Sequence, residues 1–101
     1  MAYIHSTKTT LTIGCINKDE RKNPYERIIN VGGVTTFGTR WKKSQPTVVR
    51  EIDAGTHEYY VGQGIYRVRV ITATSPYGNK YIKTEADGKE PNNLLSLPEC
   101  P

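Results

Sequence analysis

The sequence predicts an α+β domain: a mostly antiparallel sheet of about five strands carrying one short helix, in the order ββαβββ. Three observations carry that expectation. Apolar and polar residues alternate with period two in several runs, one segment has helix caps at both ends, and Gly, Pro and Asn clusters punctuate the rest. A chain of 101 residues with formal charge +4 has room for one core, so a single small domain over residues 1–101 is expected.

Taken in order, Thr10–Ile16 sets Leu11, Ile13 and Cys15 on one face and Thr10 and Thr12 on the other, which reads as a strand. Asn17–Glu26 is charged, contains Pro24, and reads as a loop. Arg27–Val31 is a short β-rich run stopped by Gly32-Gly33, where positive φ is cheap and the chain can turn. The helix follows. Ser44 is its N-cap, Pro46 suits the first turn, and Gly55 takes the C′ position. Val48, Val49 and Ile52 form the apolar stripe, with Arg50, Glu51 and Asp53 turned to water. Ile52→Ala is therefore expected to cost about 2–5 kcal/mol, and Glu51→Ala no more than about 0.5 kcal/mol.

Beyond the helix the pattern is β again. Glu58–Val61 is a strand closed by the Gly62-Gln63-Gly64 turn. Ile65–Thr74 is the strongest strand, with Tyr66, Val68 and Val70 on one face and Arg67 and Arg69 on the other. Ser75–Asn79 turns the chain, and Lys80–Glu85 returns as a hairpin partner. Ala86–Asn93 is a second turn-rich stretch. The tail Leu94–Pro101 is too apolar to hang in water, and Leu94, Leu95 and Leu97 are expected to dock on the core or a sheet edge.

The stretches CINKD, YERIINVGG, RWKKSQPTVVREID, GNKYIKTEADG and NNLLSLPEC together resemble a family of short bacterial proteins known only as a domain of unknown function. The resemblance runs from Cys15 to Cys100, and NNLLSLPEC is its most specific part. It implies a stand-alone bacterial protein, in some cases of phage or mobile-element origin. It implies no activity, cofactor or catalytic residue.

No apolar run approaches the ~20 residues of a membrane span, and the start MAYIHSTKTT lacks the apolar segment of a signal peptide. The expected location is the cytoplasm, with no membrane partner. There Cys15 and Cys100 default to thiols; a Cys15–Cys100 disulfide or a shared metal site are the alternatives. Structural zinc takes four Cys or His ligands at tight spacing. Only His5 and His57 could complete a set here, at no such spacing, so no metal and no cofactor are expected.

Nucleophilic catalysis needs a base beside the nucleophile. Cys15 sits mid-strand on an apolar face, Cys100 has no pocket implied around it, and His57 reads as a solvated loop residue. Gly32-Gly33 lacks the Lys-Ser/Thr of a phosphate loop. No catalytic residue is expected, and the chain reads as a non-enzyme.

Charge is the one asymmetric signal. Residues 1–50 carry +6 and residues 51–101 carry −2. Lys18, Arg21, Lys22 and Arg27 surround the first loop, and Arg40, Trp41, Lys42 and Lys43 precede the helix. Arg67 and Arg69 project from one strand face with Tyr60 near them. These last six, Arg40, Trp41, Lys42, Lys43, Arg67 and Arg69, are the candidate contact residues. The expected function is a small non-catalytic binding module with a protein partner. The alternative is a basic nucleic-acid binder using the N-terminal half, with aromatic rings beside cations. Trp41 is expected to serve the core rather than to stack on bases.

Overall fold

The computed structural model describes residues 8–19, 27–62, 64–85 and 93–101. Strands β1 (Thr9–Ile13), β2 (Cys15–Lys18), β3 (Ile28–Val34) and β4 (Arg40–Ser44) precede helix α1 (Gln45–Ala54). Strands β5 (His57–Val61), β6 (Val68–Thr74) and β7 (Lys80–Thr84) follow it, with single 3₁₀ turns at Gly64–Tyr66 and Asn93–Ser96. The α+β class with one short helix is the one expected. The strands form two sheets, β1-β5-β6-β7 and β2-β3-β4. Every strand pair is antiparallel except β1 with β5.

The single strand expected over Thr10–Ile16 is two strands. The chain leaves one sheet at Ile13 and enters the other at Cys15, with Gly14 between them donating its N–H to the Gly32 carbonyl at 2.9 Å. Asn17 and Lys18 continue β2, so the loop read from Asn17 starts later; residues 20–26 lie outside the described ones. Arg21, Lys22 and His5 lie outside them too, as do residues 86–92 of the second turn-rich stretch.

Gly32-Gly33 does not turn the chain. Both glycines lie inside β3, and the reason is space. A Cβ on Gly32 would come within 2.7 Å of the Trp41 carbonyl oxygen and 3.1–3.2 Å of both cysteine sulfurs. One on Gly33 would run into the Thr12 carbonyl oxygen. Two pieces of backbone and a disulfide pass too close for any side chain.

The helix ends are as expected. The Ser44 side chain accepts the Thr47 N–H, Pro46 lies in the first turn, and Gly55 closes the helix at φ 76° while donating to the Ile52 carbonyl. Val48 and Val49 are buried, and Ile52 packs against the core from a partly exposed position. Ile65 and Tyr66 do not belong to the long strand. They sit exposed in the 3₁₀ turn that Gly62 (φ 85°) and Gly64 (φ 60°) permit, and β6 starts only at Val68.

The core is shared by both sheets, the helix and the tail: Ile13, Ile16, Val31, Val48, Tyr59, Val70, Ile82 and Leu94 are all under 2% exposed. Gln45 joins the sheets by polar bonds. Its Nε2 donates to the Ile28 carbonyl at 2.9 Å and its Oε1 accepts the Ile82 N–H at 3.0 Å. Leu95 and Leu97 pack on the same core, so all three tail leucines dock.

The two cysteines are not thiols. Cys15 and Cys100 form a disulfide across Cα atoms 4.9 Å apart, a pairing that 85 residues of sequence separation conceal. Among the described residues no helix is long and apolar enough to cross a membrane.

Candidate partner-binding groove

Strand β4 separates the residues that the sequence groups. Period-two alternation sends Arg40 and Lys42 to the exposed side of the sheet, cross-strand from Val34 and Gly32. Trp41 and Lys43 point the other way, cross-strand from Gly33 and the fully buried Val31. Trp41 packs against the core with its ring 5.7 Å from that of Tyr59. Lys43 is committed inside the protein: its Nζ donates to both Glu51 oxygens at 3.0 and 3.1 Å and to the Tyr59 hydroxyl at 3.0 Å.

Arg67 and Arg69 stand elsewhere. The Arg67 guanidinium lies 3.5 Å from the centre of the Tyr60 ring, and Arg69 is 3.8 Å from a Glu58 oxygen. The six candidate residues therefore fall into three places, and only Arg40, Trp41 and Lys42 share a cavity.

That cavity is an open groove of about 1040 Å³. Strand β1 forms its floor through Thr9–Thr12; Val34–Phe37 and Arg40–Lys42 of the β3–β4 hairpin form one wall; Cys15 and the Pro98–Pro101 segment form the other. Phe37, at the hairpin tip, is 94% exposed. Arg40 and Lys42 enter no ion pair among the described residues. Glu99 lines the opposite wall.

The floor is a sheet edge. Thr9 pairs opposite His57 and donates to the Thr56 carbonyl at 3.1 Å, so Thr9, Leu11 and Ile13 turn their peptide groups toward β5. Thr10 and Thr12 turn theirs the other way. Gly33 comes close to the Thr12 carbonyl, while no described strand pairs with Thr10 on that side.

A polar cluster that sequence reading missed lies under the helix. Glu51, expected in water, accepts the Tyr59 hydroxyl at 2.5 Å and sits 3.5 Å from the Nε2 of His57, which opens β5 rather than lying in a solvated loop. Burial alone would raise the Glu51 carboxyl. Hydrogen bonds from Tyr59 and Lys43, with the charges of Lys43 and His57, more than offset it and hold the carboxyl below its ordinary value. Burial first, and then the bond to Glu51, pushes the Tyr59 phenol upward. Four groups satisfying one another away from the groove make a strut between α1, β4 and β5. Both sulfurs are joined to each other, so neither is a nucleophile in this state.

The model of the family described as "Protein of unknown function (DUF3892)" matches residues 12–98. The chain belongs to the DUF3892 family. The match takes in β2 through the 3₁₀ turn at Asn93–Ser96, and so includes Cys15 and most of the groove of this DUF3892 protein, but not Cys100. No curated protein and no solved structure matches it.

Proposed function

We propose that this DUF3892 protein is a small non-catalytic binding module that holds an extended segment of a partner protein in the groove above β1. The observation that carries the reading is the edge at Thr10, which no described strand covers, in a groove it shares with the exposed Phe37 and with Arg40 and Lys42, which enter no ion pair among the described residues. An added strand would hydrogen-bond to that edge, lay an apolar side chain on Phe37 and Val34, and bring a carboxylate to Arg40 or Lys42. β1 has no Lys, Pro or acidic residue of the kind that discourages strand addition. The resemblance to short bacterial proteins, some of phage or mobile-element origin, supports a bacterial, cytoplasmic setting for this reading.

The test is a displayed random-peptide library selected on the full chain, followed by titration of the selected peptide against variants. Thr10→Pro removes no bond to β5, because that N–H faces the groove, yet it blocks strand addition. Affinity is expected to fall at least about tenfold in Thr10→Pro and in Phe37→Ala, with thermal stability unchanged. Failure to select any peptide, or equal affinity in both variants, would overturn the reading.

The nucleic-acid alternative keeps one observation, the exposed Arg40 and Lys42 beside Phe37. Its signature is binding of a generic single strand with a log–log salt slope of about −0.7 per phosphate, lost in Arg40→Glu/Lys42→Glu but kept in Thr10→Pro.

A further inference from the structure

The groove wall opposite the hairpin is held by unusual means. Residues 98–101 lie along the free edge of β2: Ile16 donates its N–H to the Pro98 carbonyl at 2.9 Å, and Cys100 donates to the Ile16 carbonyl at 3.0 Å. Asn17 Nδ2 adds a bond to the Cys100 carbonyl at 3.3 Å. Pro98, Glu99 and Pro101 are exposed, and Cys100 is the one buried side chain of this piece, so apart from that half-cystine little apolar burial holds it down. Upstream the tail is fastened differently, by the fully buried Leu94 with Leu95 and Leu97 packed beside it. Among the described residues the disulfide is thus the one side-chain covalent tie on a short segment otherwise held by three hydrogen bonds and the buried Cys100 side chain. Cys15 is half-buried and both cysteines line the open groove, which brings a small thiol within reach.

We infer that the Cys15–Cys100 disulfide is a reversible redox latch: a dithiol reduces it, residues 98–101 leave the β2 edge, and one wall of the groove opens while the core stays folded. The chemistry is thiol–disulfide exchange. A thiolate of the dithiol attacks the Cys15 sulfur, the more exposed of the two, and Cys100 departs as a thiolate. The second thiolate then attacks the mixed disulfide and expels Cys15. The dithiol is oxidised by two electrons to a cyclic disulfide, the protein gains those electrons, and the two thiol protons end on the cysteines. The return step is the same exchange run backwards, with a small disulfide taking the two electrons and two protons, and Gly32 permits it. With no side chain there, both sulfurs sit against β3, and a re-seated tail brings them back into contact.

Opening the wall also exposes the peptide groups of Ile16 on the edge of β2, the end strand of the β2-β3-β4 sheet. The effect on partner binding rests on the groove reading; the latch itself does not.

Amide hydrogen exchange on the full chain, with and without dithiothreitol, tests the inference. Reduction is verified by alkylation of both cysteines. Exchange at Ile16 and Cys100 is expected to rise at least about tenfold on reduction and to fall again on reoxidation, while Ile82 and Gly55 keep their rates. A Cys15→Ser/Cys100→Ser variant is expected to show the open pattern in either condition. Three outcomes overturn the latch: a bond that dithiothreitol does not reduce in the folded protein, exchange at Ile16 unchanged after reduction, or a rise that extends to Ile82. A double serine variant that fails to fold overturns it as well, because the disulfide would then be a folding staple. If no library peptide binds but Ile16 exchange responds, the groove reading falls and the latch stands.

Discussion

Glu51 and Tyr59 meet at 2.5 Å, so the middle of the helix is bolted to the centre of a sheet by a phenol–carboxylate hydrogen bond. Lys43 reaches both partners from β4, and three elements converge on one carboxylate. Removing that carboxylate strands a phenol and an ammonium that are largely out of water. Glu51→Ala is expected to destabilise the protein by about 1–3 kcal/mol, several times the value expected of a solvated helix residue. Tyr59→Phe leaves the carboxylate with Lys43 and is expected to cost about 1 kcal/mol. Urea unfolding of both variants measures the difference; equal and negligible shifts would refute the strut.

Acid should find the same group. Glu51 has its folded pKa below the ordinary 4.5, and Asp53, bonded to Lys80 and Thr72, lies below the ordinary 3.8. A depressed folded pKa means that the unfolded chain binds more protons in this range. The stabilisation is therefore complete above the ordinary value and is lost as pH falls through the folded one. Denaturation midpoints are expected to hold steady above about pH 5 and to decline toward about pH 2. Glu51→Gln should flatten that decline. An identical acid slope in the variant would show that other carboxylates dominate.

The glycines make a sharp contrast. Gly33→Ala places a methyl against the Thr12 carbonyl, and the strands must part. A loss of about 1–3 kcal/mol is expected, typical of overpacking against backbone. Gly14→Ala meets nothing within 4 Å and should stay within about 0.5 kcal/mol. Thermal midpoints of the two variants decide whether close approach or turn chemistry explains the pair in β3.

Leu94 is fully buried, and Leu94→Ala is expected to cost about 2–5 kcal/mol. Leu95→Ala, at a partly exposed site, should cost less. Removing residues 94–101 should lower the unfolding midpoint at least as far as Leu94→Ala does. A truncated chain that melts with the intact one would mean that the tail adds nothing to the core.

Local chemistry was readable in the sequence where it acts alone. Ser44, Pro46 and Gly55 mark the helix because a cap needs only its own neighbours, and the Ser75–Asn79 turn is legible for the same reason. Strand β4 was not, since Arg-Trp-Lys-Lys-Ser alternates in burial only because Lys43 finds Glu51 and Tyr59 inside. The twin glycines announce tight backbone equally well for a turn and for a strand; an apolar valine on each side, Val31 and Val34, was the available hint of a strand. Of the site, Arg40, Trp41 and Lys42 were found by charge and aromaticity. The edge of β1 that no described strand covers and the disulfide wall depend on contacts between distant parts of the chain, which no local pattern encodes.

The parallel pairing of β1 with β5 also sets an order of events during synthesis. Thr9 must wait for His57, which leaves the ribosome 48 residues later. At bacterial and eukaryotic elongation rates that delay is about 2–10 s, ample time for the β2-β3-β4 meander to form first from neighbouring segments. Strand β1 is thus made well before the partner that completes its pairing, and during that interval the edge that will meet β5 is bare to the nascent chains around it.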